Sequence, residues 1–349
     1  ADHGMLPLEG GGVGLDACRA GDPGCVPGAA WGVGDRPWIA HFDGTCWRPD
    51  APLLLADGRR AGEGEARLAS MVPTFGGGLA VGERDGAATH AERVGLGGAG
   101  RAWRLAPDDA GRDLPPLDDV DVVGGPLDGE AWAVGCDGTV ARRRLSDGVW
   151  SRAARLAEGS ARELTMLDAR EGWAFGMSRG PGDLATIAWR FDGTAWREET
   201  RYPGQSLVDA YKAGPDTLLL GLSPGRPGVP VLHLRSTVGW RAVAPDPPGA
   251  RGGYGHRAIA PLADGRVLYA AGSDVWLHDA SAGWTLLRRR MDLRAFVPEG
   301  GGGWALAATA TGSRVLRALA GGRLVDPDPA ALDLPPLRAL AGEGGELWA

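Results

Sequence analysis

The sequence predicts an all-β protein built from a repeated four-stranded unit, and three observations support this prediction. The chain has 59 glycines and 26 prolines, so it is rich in turns. Hydrophobic residues make up 44% of the sequence and include 14 tryptophans, which is enough apolar material for a packed core. The stretch IAWRFDGTAW at 187–196 reappears at 39–47 as IAHFDGTCW, and both read as a strand, an Asp-Gly turn and a second strand with tryptophan.

Composition and charge limit the partners that the chain can have. The formal charge is −7 and the pI is near 5.5, whereas a nucleic-acid surface needs a basic face. Lys212 is the single lysine among 37 basic residues, and asparagine is absent, a bias typical of genes with high G+C content. No apolar run approaches the ~20 residues of a membrane-spanning helix. The sequence therefore predicts neither a nucleic-acid partner nor a membrane span.

The second strand of the unit is marked by the motif Trp-Ala-Val-Gly or a degenerate form of it. Successive copies are spaced at roughly 40–50 residues, the period expected for propeller blades of several short strands. The copies lie at 30–34, 79–82, 131–135, 172–176, 218–221, 267–272, 303–307 and 346–349.

These copies predict a single β-propeller domain over residues 1–349, with eight four-stranded blades. Pairing of the N- and C-terminal strands is expected to close the ring; the alternative is seven blades, with 337–349 as a tail or a replacement inner strand. The predicted innermost strands lie near 13–20, 66–73, 119–124, 164–168, 206–213, 256–262, 293–298 and 337–341. The predicted blades lie near 13–48, 66–104, 119–152, 164–198, 206–242, 256–286, 293–327 and 337–349, the last completed by 4–10.

Tryptophans recur at fixed positions of the unit, where large aromatic side chains would fill the space between adjacent sheets. Five fall in second strands: Trp31, Trp132, Trp173, Trp304 and Trp348. Six fall in fourth strands: Trp47, Trp103, Trp150, Trp196, Trp240 and Trp284. We therefore expect these indoles to be buried.

The repeat resembles known propeller families. Its pattern, W-A-V-G followed by I-x-x-F-D-G-T-x-W, is similar to the degenerate propeller repeats of bacterial secreted and surface proteins, to tectonin-type lectin repeats and to BNR (Asp-box) repeats. The resemblance covers about residues 13–349. The segments at 146–150 and 191–196 are shorter than a full Asp box, S-x-D-x-G-x-x-W. The resemblance implies a propeller fold and a place at or outside the cell surface.

Candidate binding residues come from the innermost strands and from the long loops between blades. Polar residues near the starts of innermost strands would line a central channel: Asp16, Asp119, Asp121, Asp168, Asp209, His256, Arg294 and Arg338. Loops on a rigid scaffold commonly carry binding, and one proline-rich loop contains Arg251, Tyr254 and His256. The predicted binding residues are Asp121, Asp168, Asp209, Arg251, Tyr254, His256 and Arg294.

No catalytic residue, metal ligand or cofactor is predicted. The six histidines form no zinc motif, no G-x-S-x-G elbow occurs, and the glycine clusters lack the G-K-[ST] of a phosphate loop. Acidic residues that converge on a channel would suit Ca²⁺, which prefers oxygen ligands.

The four cysteines suggest a disulfide in an oxidising compartment. Cys18 and Cys25 close a short loop and are the predicted pair, with Cys25–Cys46 as the alternative. A Cys46–Cys136 bond is not expected, because the predicted blade geometry places these two residues on opposite faces. The chain begins Ala1-Asp2, as a mature exported protein would after signal cleavage. The expected location is therefore extracytoplasmic: periplasmic, cell-surface or secreted.

The function predicted from these features is a non-enzymatic binding or scaffold module whose partner is a protein or a surface glycan. One alternative is a glycan hydrolase or lyase on the same scaffold, which would need two convergent carboxylates or a metal. Another is a lectin with one shallow pocket per blade, which would need several exposed indoles.

Overall fold

The structure is a computed structural model. It describes residues 5–8, 12–15, 31–32, 40–42, 47–49, 53–61, 65–74, 77–95, 101–106, 113–124, 129–146, 148–178, 184–214, 216–223, 228–248, 257–262, 264–271, 274–289, 291–299, 302–308, 313–318, 323–325, 341–343 and 346–348. These residues form strands and turns. No helix among them is long and apolar enough to cross a membrane.

The N-terminal strands form a hairpin and a small three-stranded sheet. They are β1 (Met5–Leu8), β2 (Gly12–Leu15), β3 (Trp31–Gly32), β4 (Ala40–Phe42) and β5 (Trp47–Pro49). β1 pairs with β2, and β3, β4 and β5 form the sheet.

The next five strands form one sheet in the order β6-β10-β9-β8-β7. They are β6 (Leu53–Leu54), β7 (Arg67–Thr74), β8 (Gly77–Arg84), β9 (Ala87–Gly95) and β10 (Arg101–Leu105). β7 to β10 run antiparallel, and β6 adds to the outer edge of β10 in parallel.

Five four-stranded antiparallel sheets follow, each with its strands in chain order. The first two contain β11 (Asp119–Val123), β12 (Glu130–Val134), β13 (Thr139–Arg144) and β14 (Ser151–Arg155), then β15 (Gly159–Met166), β16 (Gly172–Ser178), β17 (Ala185–Phe191) and β18 (Trp196–Pro203). The third and fourth contain β19 (Ser206–Gly214), β20 (Thr217–Ser223), β21 (Pro230–Ser236) and β22 (Gly239–Pro245), then β23 (Arg257–Pro261), β24 (Val267–Ala271), β25 (Asp274–Asp279) and β26 (Gly283–Arg289). The fifth contains β27 (Asp292–Glu299), β28 (Gly302–Ala308), β29 (Ser313–Ala318) and β30 (Leu324–Val325), and the chain ends with the hairpin β31 (Ala341–Glu343) and β32 (Glu346–Trp348).

The first strands of successive sheets lie side by side in the order β7, β11, β15, β19, β23 and β27. β31 lies beside both β27 and β7, and β32 lies beside β3 and β4. The all-β class and the four-stranded sheets predicted from the sequence are therefore confirmed. The count of eight blades is not confirmed.

The N-terminal hairpin differs from the predicted arrangement. Residues 4–10 were expected to complete the sheet of 337–349, whereas in the described strands β1 pairs with β2. Residues 9–11 are Glu-Gly-Gly, a composition that suits a short hairpin connection. Because a local hairpin needs no long-range closure, its pairing costs less chain entropy than pairing with the distant C-terminus.

The glycine that ends the Trp-Ala-Val-Gly motif is required by close packing of the first strand against the second. A Cβ on Gly82 would lie 1.9 Å from the Arg67 carbonyl oxygen, and one on Gly135 would lie 2.4 Å from that of Pro116. Backbone atoms cannot move aside as a flexible side chain can, so no larger residue fits there.

The Asp-Gly turn of the repeated hairpin is stabilised by its aspartate. In the β17–β18 turn, Asp192 Oδ1 accepts hydrogen bonds from the backbone N–H groups of Thr194 at 3.0 Å and Ala195 at 2.9 Å. Gly193 takes a positive φ of 88°, which glycine adopts without strain. These bonds fix the register of the hairpin.

The core lies between the sheets. One hydrophobic cluster fills each gap between consecutive sheets, from the sheet of β7–β10 to that of β27–β30. Every described tryptophan side chain is buried or half-buried, as the sequence predicts. The buried ones are Trp103, Trp132, Trp150, Trp173, Trp189 and Trp276, and the half-buried ones are Trp196, Trp240 and Trp284.

Candidate functional site

The first strands of three consecutive sheets, which the sequence predicts as innermost strands, bring four carboxylates together. Asp119 and Asp121 lie on β11, Glu163 on β15 and Asp209 on β19, and each side chain is half-buried. We call these four residues the inner-strand acidic cluster. Alternation along β11 places Asp119 and Asp121 on one side of the strand, so both face the adjacent first strands.

Asp119 links three consecutive first strands. Its Oδ1 accepts a hydrogen bond from Ser70 Oγ on β7 at 2.6 Å, and its Oδ2 accepts one from the Leu164 N–H on β15 at 2.7 Å. First strands of neighbouring sheets do not pair as β-ladders, so the carboxylate supplies an acceptor that a backbone carbonyl would otherwise provide.

Asp121 repeats this arrangement towards the same neighbour. Its Oδ2 accepts a hydrogen bond from the Met166 N–H at 2.7 Å, while its Oδ1 accepts one from the N–H of the next residue, Val122, at 2.8 Å. The carboxylate thus bridges its own strand and the next one.

Asp209 makes the same bridge from β19, the first strand two sheets further along the chain. Its Oδ2 accepts from the Ile259 N–H on β23 at 3.1 Å and its Oδ1 from the Ala210 N–H at 2.8 Å. These contacts tie β19 to β23, as those of Asp119 and Asp121 tie β11 to β15.

Burial and mutual repulsion hold protons on this cluster near neutral pH. Burial of the carboxyl groups raises the pKa of Asp119 and of Asp209 to about 7; the charge of Asp121 also raises the pKa of Asp119, and the charge of Asp119 also raises that of Asp209. Burial raises the pKa of Asp121 to about 6. Burial and then the charges of Asp119 and Asp209 raise the pKa of Glu163 well above its usual value.

Two basic side chains, Arg162 and Lys212, and one further carboxylate, Asp118, border the cluster. Arg162 lowers the pKa of Glu163 and that of Asp118 electrostatically, against the larger effect of burial on each. Lys212 is exposed, and its Nζ donates to the Met166 and Leu167 carbonyl oxygens at 3.4 Å. The cluster therefore has more acidic than basic groups, and protonation rather than ion pairing limits its charge.

Asp209 leads to a pH prediction. Its folded pKa is near 7 and its unfolded pKa near 4, so the stability that it contributes is fully present below pH 4 and is lost as the pH rises through 7. Asparagine does not titrate. We expect the free energy of unfolding of Asp209→Asn, relative to wild type, to rise by roughly 2–4 kcal/mol between pH 4 and pH 8 in urea titrations.

The quantity to compare is the difference in the free energy of unfolding between variant and wild type. The stability of the wild type alone is not sufficient, because the contribution of His90 changes with pH in the opposite direction to that of Asp209. Burial lowers the pKa of His90 to about 3, so its stabilising contribution is lost as the pH falls. Asp85→Asn, at a turn where the side chain is 93% exposed, is the matched control for the loss of one carboxylate. A difference for Asp209→Asn that stays flat with pH would contradict the prediction.

The predicted site residues fall in different places. Asp121 and Asp209 belong to the cluster. Asp168 lies in the exposed β15–β16 turn, where its Oδ1 accepts from the Arg170 N–H at 2.6 Å and the Glu171 N–H at 2.8 Å, so its side chain shapes the turn. Residues 251–256, which include the predicted Arg251, Tyr254 and His256, lie outside the described residues, as does the Arg294 side chain on β27. Their binding role stays a prediction.

Sequence reasoning missed Glu163 and the residues around it. The innermost strand was expected over 164–168, whereas β15 begins at Gly159. The register of β15 against β16 shifts between Ala161 and Glu163, and such a bulge breaks the alternation used to find strand starts. The segment SARELTM contains an inward carboxylate that a search allowing one bulge would have found.

The metal, disulfide and lectin expectations have these outcomes. Within the described part of the chain, no group of three or more His, Cys, Asp or Glu side chains is arranged to hold a metal ion. Cys18, Cys25 and Cys46 lie outside the described residues, and Cys136 is exposed. Because the described indoles are buried or half-buried between sheets, none of them offers an open stacking platform, and the lectin alternative has no support from these residues.

Each aspartate of the cluster already uses both oxygens as acceptors for groups of its own or a neighbouring strand. Chemically, the cluster can tie sheets together and can take up or release protons near neutral pH.

Comparison with known proteins identifies the fold. No protein-family model matches the sequence, and no curated protein matches it. A solved structure described as YCF48 bound to D1 peptide is similar over 88% of this chain and 94% of its own, with a TM-score of 0.59 at 16% identity. YCF48 from Cyanidioschyzon merolae is similar over 80% and 91%, with a TM-score of 0.55 at 14% identity. These likenesses show that the chain has the fold of a β-propeller.

Proposed function

We propose that this chain is a non-enzymatic β-propeller scaffold that binds a segment of a protein partner. The observation that carries the proposal is the shared fold, over 88% of the chain, with a propeller whose solved structure holds a peptide. Propellers have many functions, so a protein segment as the partner of this chain is a proposal drawn from that neighbour.

The inner-strand acidic cluster supports a scaffold over a hydrolase. Asp119, Asp121 and Asp209 each accept hydrogen bonds that join adjacent first strands. Carboxylates engaged in this way keep the frame rigid, and a rigid frame presents loops and edges with little entropic cost on binding.

We also propose seven blades in place of eight. Six begin with β7, β11, β15, β19, β23 and β27, and the seventh combines β31 and β32 with β3, β4 and β5. The order of neighbouring first strands supports this arrangement, since β31 lies beside β27 and β7 while β32 lies beside β3 and β4. An extracytoplasmic location and a glycan partner remain predictions from the sequence.

The test is selection from a phage-displayed library of random twelve-residue peptides on the immobilised chain. We expect a consensus sequence to be enriched, and the matching synthetic peptide to bind the folded chain and not the heat-unfolded chain in isothermal titration calorimetry. A glycan array and a panel of fluorogenic glycosides form parallel arms. Absence of any enriched peptide would overturn the proposal, and glycan binding or glycoside turnover would then identify the alternative function.

A further inference from the structure

One blade of this chain already accepts an extra strand at its outer edge. β6 pairs in parallel with β10, with Leu53 opposite Trp103 and Leu54 opposite Arg104. Leu53 and Leu55 are buried and pack in one cluster with Trp103 and Leu105. An outermost strand can therefore serve as a template for an extended segment with alternating apolar side chains.

The other outermost strands differ in how well they are protected against such addition. In the described residues, β14, β18, β22 and β26 each pair with one neighbour only. Charged side chains and prolines are the common means of blocking a strand edge. β14 carries Arg152 and Arg155 within five residues, and β22 carries Arg241 and ends in Pro245.

β18 is the most strongly protected edge. It contains Arg197, Glu198, Glu199 and Arg201 and ends in Pro203. Salt bridges further order these charges: Arg201 pairs with Glu198 at 2.9 Å. An incoming strand would have to displace these side chains and their water.

β26 is the least protected of these edges, because its charged side chains lie together at one end of the strand. Its seven residues include no proline and no acid, and its only charges are Arg288 and Arg289 at the end. Thr285 is exposed, while Leu286 and Leu287 are half-buried and pack on the hydrophobic clusters to either side. The strand is thus anchored by its side chains and has an uncharged centre.

The charge at the end of β26 defines the occupant. Arg288 is exposed and its Nη2 donates to the Leu324 carbonyl oxygen at 3.3 Å. Arg289 is exposed and makes no ion pair within the described part of the chain. An acidic residue at the matching end of an incoming strand would meet the guanidinium group on its own face of the sheet, because Arg288 and Arg289 are consecutive and point to opposite faces.

We propose that the outer edge of β26 takes an extended segment of a protein partner, with alternating apolar residues and an acidic residue beside Arg288 or Arg289, as a fifth strand of that sheet. This inference rests on the proposed function and names the site at which the partner segment docks. Main-chain hydrogen bonds would supply affinity, and the two arginines would supply selectivity for acidic segments.

The probe is a synthetic peptide of alternating leucine and threonine with glutamate at both ends, used beside the consensus peptide from the library. Hydrogen exchange followed by mass spectrometry is expected to show slower exchange over 283–289 on binding, with 239–245 of β22 as the internal comparison. Two methylated peptides test the pairing, one with methyl groups on the odd-numbered backbone nitrogens and one with methyl groups on the even-numbered ones. Only one of them should lose binding, because only one edge of the peptide strand pairs with β26.

The variant Arg288→Glu/Arg289→Glu should weaken binding by roughly tenfold or more, and the matched control Arg241→Glu on β22 should leave binding within about twofold. If the library peptide binds but exchange slows elsewhere and the double variant binds normally, this inference fails and the proposed function stands. If no peptide binds, both fail. Concentration-dependent self-association that the double variant abolishes would make a second copy of this chain the occupant and would overturn the choice of partner.

Discussion

Trp173→Ala is expected to lower the free energy of unfolding by roughly 3–5 kcal/mol. The indole is 2% exposed on β16 and packs in one cluster with Phe175 of its own strand and with Leu207, Leu218 and Leu220 of the next sheet. Removing it would leave a cavity between two sheets, and the surrounding strands are tied to their neighbours and can collapse only partly.

Polar contacts of Trp173 add to this loss. Its Nε1 donates to Glu199 Oε2 at 2.8 Å, and Trp240 Nε1 donates to the same oxygen at 2.6 Å. The guanidinium groups of Arg190 and Arg235 lie over the ring, 5.5 and 5.3 Å from its centroid. The indole is thus held on its faces by cations and at its edge by a carboxylate that also binds the next sheet.

Urea unfolding followed by circular dichroism measures this effect. The control is Trp240→Phe, since Trp240 is half-buried and shares Glu199, and we expect that change to cost about 1 kcal/mol. An unchanged unfolding midpoint for Trp173→Ala would mean that the indole does not hold the two sheets together.

Gly176→Ala, three residues further along the same strand, is expected to cost roughly 3 kcal/mol or more. A Cβ there would lie 1.8 Å from the Ser160 carbonyl oxygen and 2.8 Å from the Ala161 Cα. Both are backbone atoms of β15, next to the bulge that follows Ala161, so the whole strand would have to shift. Such a shift would also disturb Leu164, whose N–H binds Asp119.

Gly214→Ala is the matched control, because Gly214 also lies in a strand and a Cβ there would be 3.6 Å from the nearest atom, Thr217 Cβ. We expect that change to alter stability by less than about 0.5 kcal/mol. Thermal and urea unfolding of both variants give the comparison. Equal stability of the two would show that the close approach of β15 is relieved at little cost.

The arrangement of strands along the chain was predictable where it depends on local pattern. The motif copies at 131–135, 172–176 and 218–221 coincide with β12, β16 and β20. The tryptophans were expected between sheets because a large apolar side chain at a fixed position of a repeat has no other place to be buried. The start of β15 was missed by five residues, since a bulge interrupts the period of two on which strand prediction depends.

The acidic cluster was predictable only in part. Asp121 and Asp209 stand out in the sequence as carboxylates at the starts of innermost strands. Glu163 does not, because it lies in the bulged part of its strand. The pattern of residues also did not distinguish Asp168, whose side chain forms a turn, from the aspartates that bridge strands.

The sequence by itself determined the strand positions, the Asp-Gly turns and the burial of the indoles, because alternation, turn chemistry and hydrophobicity act over a few residues. Only the tertiary structure decided which backbone N–H groups the carboxylates of Asp119, Asp121 and Asp209 bind, since those partners lie 45 to 50 residues away along the chain. It also decided that β6 adds to β10 in parallel. Contacts of this kind depend on how whole sheets pack, and no local pattern encodes that packing.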